Sequence, residues 1–225
     1  MALKKTFTVL YAQRYVLFMI ACLLLMFSTA IPYEWRAESM MFSVILAFHI
    51  FAGTMLWYQA SSRIASMFFY LGLLLIAFQF LEGLKILHLG EVLSGLYVLF
   101  FFAVSVKIYR DIYKARIIDS NMVFAVFTGL ILLGIMATFL FITIERVVPD
   151  SFRGMDPTMS LFDNLLYFSF ISLLTIGYGD MVPATAMTKT LSVLVGLVAN
   201  FYTIIVTGIV IGKYLGPNDP DKDEG

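Results

Sequence analysis

Thr175-Ile176-Gly177-Tyr178-Gly179-Asp180 is the stretch on which the reading of this chain turns. Consecutive backbone carbonyls face one side only when dihedrals alternate between right- and left-handed regions, and glycine enters the left-handed one without steric cost. Gly177 and Gly179 stand at alternate positions. They are expected to take positive φ angles while Thr175, Ile176 and Tyr178 keep ordinary ones. Such a run offers a column of oxygens to a dehydrated monovalent cation, and the Thr175 hydroxyl can add one more at its inner end. Gly-Tyr-Gly-Asp is also a good surface turn, because Gly and Asp are common turn formers. The flanks separate these readings: a short helical pattern runs into the motif, and long apolar segments lie on either side.

Composition sets the environment. Of 225 residues, 61% are hydrophobic and 13% charged, and the mean hydropathy is +0.92. Those values exclude a typical soluble domain and indicate a polytopic, all-α integral membrane protein. Fifteen basic and fifteen acidic residues cancel, so the charge balance calls for no nucleic-acid or acidic partner. Cys22 is the sole cysteine and lies in an apolar run, which excludes an intrachain disulfide and a cysteine metal centre.

Apolar runs at 15–31, 40–58, 64–87, 92–106, 122–144 and 187–212 approach the roughly 20 residues that span a bilayer as helix. They predict six transmembrane helices, the short fourth one lengthened by snorkelling of Lys107 and Arg110. The first run reads either as a retained helix or as a cleaved signal peptide, since Lys4, Lys5 and Arg14 precede it and Ser28-Thr29-Ala30 follows. Both leave the orientation downstream unchanged. With both termini cytoplasmic, the inner side holds Lys4, Lys5, Arg14, Arg63, Lys107, Arg110, Lys114, Arg116, Lys213 and Lys222. The outer side then holds only Arg36, Lys85, Arg146, Arg153 and Lys189, and the excess of basic residues belongs inside.

Between the fifth and sixth runs, Ser160 to Leu174 is apolar and aromatic but too short to cross. Ser160 with Asp163 fits a capping box, and Pro157 ends whatever precedes it. The segment reads as a re-entrant pore helix whose C-terminal partial charge favours a cation at the pore centre. A helix lying on the outer surface is the alternative. Non-helical backbone after it, at membrane depth, is tolerable only where it lines protein or a water-filled cavity. In the last helix, Asn200, Thr203 and Thr207 share one face. They suit the lining of an aqueous cavity beneath the motif, or hydrogen bonds to neighbouring helices; Ile211 extends the stripe as a hydrophobic constriction.

The chain resembles potassium channels, whose filter signature T-V/I-G-Y-G-D is matched at every position by Thr175 to Asp180. The likeness is most specific over 122–212 and only architectural over 1–118. It implies potassium ions coordinated by the carbonyls of Thr175, Ile176, Gly177 and Tyr178, in a ring closed by four copies of the chain. The expected protein is therefore a homotetramer in membrane lipids, conducting K+ and catalysing nothing. Many channels of this kind have a hinge glycine where this chain has Ala199, so bending is expected at Gly196, with Gly208 and Gly212 near the inner mouth; close helix packing is the other use of such glycines. Family members often have Thr, and some Glu, where Leu174 and Ile171 stand. Asp180 consequently lacks a carboxylate partner, and Tyr167 is the candidate replacement.

The organisation expected is a four-helix region over 1–118, a pore domain over 119–215 and a disordered acidic tail over 216–225. Residues 92–106 hold no basic residue, whereas steep voltage gating needs three or four charges per subunit. Lys107, Arg110, Lys114 and Arg116 follow the span and read as an interfacial linker helix, with Asp119 and Ser120 capping the fifth helix. Glu82, Lys85, His88 and Glu91 read as a solvated or ion-paired outer rim, with a ligand or pH site as the alternative. His49 reads as a hydrogen-bonded packing residue. A bis-histidine haem protein is disfavoured by the unequal depths of His49 and His88. A non-conducting regulatory scaffold is the remaining rival.

Overall fold

The computed structural model describes Tyr11 and residues 13–31, 41–57, 62–84, 90–115 and 120–215. The readings made for Lys85, His88, Arg116, Asp119 and the 216–225 tail fall outside the described residues. Seven helices are described: α1 (Arg14–Phe27), α2 (Met41–Met55), α3 (Ser62–Gly83), α4 (Gly90–Lys114), α5 (Ser120–Val147), α6 (Leu161–Leu173) and α7 (Ala186–Leu215). Two short strands, β1 (Phe152–Arg153) and β2 (Val182–Pro183), pair antiparallel.

Among the described residues, α3, α4, α5 and α7 are long and apolar enough to cross a membrane, whereas α1, α2 and α6 are shorter apolar helices. The fold is thus mostly helical, with four candidate membrane-spanning helices. Helix α4 corrects one expectation. It runs unbroken for 25 residues, so it needs no snorkelling to span, and Lys107, Arg110 and Lys114 sit on its last turns rather than on a separate linker helix. Lys107 pairs there with Asp111 one turn on.

Local chemistry sets several boundaries. The Ser28 and Thr29 hydroxyls donate to the carbonyls of Leu25 and Met26 at 2.7 and 2.9 Å, satisfying acceptors that the end of α1 leaves open. Ile31 is extended (φ −89°, ψ 131°), as the residue before Pro32 must be. At the start of α7, Thr185 and Thr188 cap each other reciprocally, each backbone N–H donating to the other hydroxyl at 3.2 Å.

Helix α5 is the hub, packing on α1, α4, α6 and α7, while α2 bridges α1 and α3. The helices on both sides of α5 consequently share one core. Its centre is aromatic: His49 is stacked between Phe18 and Phe101 at 5.1 and 4.5 Å, and Phe139 of α5 meets both Tyr97 of α4 and Phe162 of α6. His49 Nε2 lies 3.3 Å from Cys22 Sγ, so this buried histidine is the hydrogen-bonded packing residue expected. Helix α3 is peripheral, with Met67, Phe69, Tyr70 and Leu73 exposed.

Candidate functional site

The hairpin of α6 and the 174–180 loop is held from three sides. From beneath, Phe141 of α5, Phe152 of β1 and Phe168 of α6 form a closed edge-to-face triad with centroids 5.1–5.4 Å apart. The Phe170 ring fits against Gly134, where a Cβ would approach it to 2.6 Å. At the start of α6, the capping box forms as read: Asp163 N–H donates to the Ser160 hydroxyl at 3.1 Å, and Ser160 N–H to Asp163 Oδ2 at 3.4 Å. Asn164 then clamps the incoming loop, accepting from Asp156 N–H at 2.8 Å and donating to the carbonyls of Asp156 and Ser160.

Left-handed backbone occurs at Thr175 (φ 59°), Gly177 (φ 57°) and Gly179 (φ 81°). The two glycines behave as expected; Thr175 does not keep an ordinary dihedral. The alternation begins two residues earlier, at the point where the chain leaves the helix and enters the loop. Ile176 and Gly177 N–H groups both donate to the Ile171 carbonyl, at 2.8 and 3.1 Å, and Thr175 N–H to that of Ser172 at 3.2 Å. These bonds bind the lower loop to the last turn of α6. Residues 174–180 are exposed within one chain, Tyr178 at 73% and Ile176 at 47%.

The outer end is fixed by Tyr167, whose Oη donates to Asp180 Oδ2 at 2.6 Å. This is the replacement tether expected from the sequence. The bond stabilises the ionised carboxylate and holds its pKa below the ordinary value. A lowered folded-state pKa means that the tether contributes fully above the ordinary carboxylate value of about 4 and is lost only as the pH falls through the lower one. Tyr167→Phe keeps the ring and deletes the bond, so any current carried through the loop is expected to run down several-fold faster at neutral pH. Recordings of sustained current check this, and equal run-down rates would count against the tether.

Residues missed by the sequence reading complete the collar. Gly154, at φ 82°, lies against the Asp180 carbonyl. Ser151 accepts from Ala184 N–H at 2.8 Å and from the Thr188 hydroxyl at 3.0 Å, tying the strand pair to α7. Glu145 Oε1 accepts from Asp150 N–H at 2.9 Å, supporting the left-handed turn at Asp150 (φ 61°). The reciprocal Thr185-x-x-Thr188 spacing was a legible cap signal; Gly154 carried none that distinguishes it from any loop glycine.

Residues 150–215 match a family model described as "Ion channel". They cover the collar, α6, the loop and α7. Over 66 residues the chain is 36% identical to two-pore potassium channel 4 of Arabidopsis thaliana, an alignment covering 29% of this chain and 19% of the relative. The resemblance to the potassium channel family holds. The matches point to a channel rather than an enzyme. The family-model match stops short of α5 and of everything before it, and the aligned stretch spans about a fifth of the relative's length. No solved structure matches.

Within the matched segment α7 divides into faces. Ala199, Tyr202 and Val206 are buried against the rest of the chain, so Ala199 is a packing residue at the position compared with a hinge. Asn200, Thr203 and Thr207 are exposed together, and the first two return hydrogen bonds to the Gly196 and Ala199 carbonyls at 3.0 Å. A Cβ at Gly196, Gly208 or Gly212 would meet nothing within 4 Å, so none of the three serves close packing within the chain. Ile211 is exposed. Helix α7 passes through all of them without interruption.

Proposed function

We propose that four copies of this chain surround one axis and form a potassium-selective pore, with Thr175, Ile176, Gly177 and Tyr178 supplying the ring of carbonyls, Gly179 the last left-handed turn of the filter and Asp180 its outer rim. The observation that carries this reading is the strict alternation of left-handed dihedrals at 175, 177 and 179, which turns successive carbonyls to one side. Support comes from α7: Phe201, Ile204 and Ile205 are exposed apolar residues beside the exposed Asn200, Thr203 and Thr207, as expected of a helix that meets neighbouring subunits and a wet cavity at once. Potassium ions are the cargo, and lipid covers the outer helices. In the full reading the chain crosses six times, α1 and α2 included, with α6 re-entrant and both termini cytoplasmic.

Liposomes containing the purified protein and loaded with potassium test conduction. Dissipation of the gradient is expected; its persistence would favour the scaffold reading. Conductance is also expected to depend little on voltage, because Val92 to Val106 of α4 holds no basic residue and Lys107 is paired to Asp111. A steep conductance–voltage curve in symmetric potassium would contradict this.

A further inference from the structure

Tyr202 of α7 is buried on the face turned to its own subunit, and its hydroxyl donates to the Val126 carbonyl of α5 at 2.5 Å. The space for that hydroxyl exists because residue 129 is glycine: a Cβ there would lie 2.5 Å from Tyr202 Oη and 3.1 Å from Cζ. The same missing side chain admits Tyr109 of α4, whose ring edge would be 3.3 Å from that Cβ and whose centroid lies 5.3 Å from that of Tyr202. Three helices therefore meet at one notch. Two residues beyond Tyr109, Asp111 accepts a 2.6 Å hydrogen bond from Tyr15 of α1. A continuous set of contacts thus runs from α1 through the end of α4 to α7.

Helix α7 is pinned near its outer end by Thr188 on Ser151 and again by Tyr202 on Val126. Beyond the second pin Val206 is still buried and Val210 partly so, while Gly208, Ile211 and Gly212 are bare. We propose that Tyr202, seated in the Gly129 notch against Tyr109, is the latch that sets the position of the inner mouth, and that α4 acts on the pore through it. The inference rests on the channel reading and assigns the four-helix region a regulatory role in it. Removing the hydroxyl takes away the hydrogen bond from Tyr202 to α5 and leaves its ring in place, so the lower part of α7 is then held by packing at Val206 and Val210. Adding a methyl at 129 expels the hydroxyl from the same place, so the two changes act on one contact and their effects do not add.

The test uses the full chain in lipid bilayers. Spin labels at Lys114→Cys and Ile211→Cys, in a Cys22→Ser background and diluted with unlabelled protein, report the separation of the inner ends of α4 and α7. Tyr202→Phe is expected to move or broaden that distance and to change the open probability roughly fivefold, the scale of one lost hydrogen bond. Gly129→Ala is expected to do the same alone and little more in the Tyr202→Phe background. An unchanged distance in Tyr202→Phe, or additive effects, overturns the latch. Absence of potassium current in the parent would instead defeat the channel reading, while the distance would still decide the latch.

Discussion

Gly154→Ala is expected to abolish potassium current in a protein that still folds and inserts. A Cβ at this position would overlap the Asp180 carbonyl oxygen and lie 3.0 Å from its carbon. The obstacle is backbone, not the movable end of a side chain. Residue 154 also holds φ 82°, a conformation that costs an L-residue about 1–2 kcal/mol. The overlap is relieved only by pushing the 150–154 segment away from the loop, which withdraws support from Asp180 and tilts the carbonyls beneath it. The helices do not depend on this contact, so their content should persist. Gly95→Ala, where a Cβ meets nothing within 4 Å, is the matched control and should conduct normally. Flux through liposomes and circular dichroism on both variants check the pair, and normal flux through Gly154→Ala would show that the collar does not set the loop.

Phe141→Ala is expected to loosen the whole pore segment. Phe141 is fully buried, and its ring meets both Phe152 and Phe168 edge-on. Truncation leaves a void under α6 and breaks two of the three contacts that hold helix and collar together. The cost of such a change is about 3 kcal/mol or more, which for a chain of this size lowers the Tm by roughly 6–12 °C. Phe127 lies on the same helix but is 60% exposed, and Phe127→Ala should change little. Thermal unfolding of the two purified variants separates them; similar Tm values would mean that the triad fills space without holding the pore.

These two sites show what was legible in the sequence and what was not. The left-handed dihedrals at Gly177 and Gly179 and the Ser160–Asp163 box follow from residue type and short spacing, the Tyr167–Asp180 tether was suggested by the resemblance to potassium channels, and all three are present. Thr175 was misread because a β-branched residue gives no local sign of positive φ; the hydrogen bonds to the end of α6 impose it. Helix α4 was cut short because a run of charge looks like the end of a span, although charged residues on the last turns of a helix leave its backbone unchanged. Gly154, Gly129 and Gly134 were invisible for a common reason. Each matters through a partner on another element, Asp180, Tyr202 and Phe170, and a glycine's neighbour in space is not written beside it in the chain.

The most direct measurement is the reversal potential of the purified protein in a bilayer with potassium on one side and an equal concentration of sodium on the other. Carbonyls aligned by alternating dihedrals predict a reversal far from zero, displaced toward the potassium equilibrium potential. Reversal near zero, with sodium carried as readily as potassium, would contradict the account.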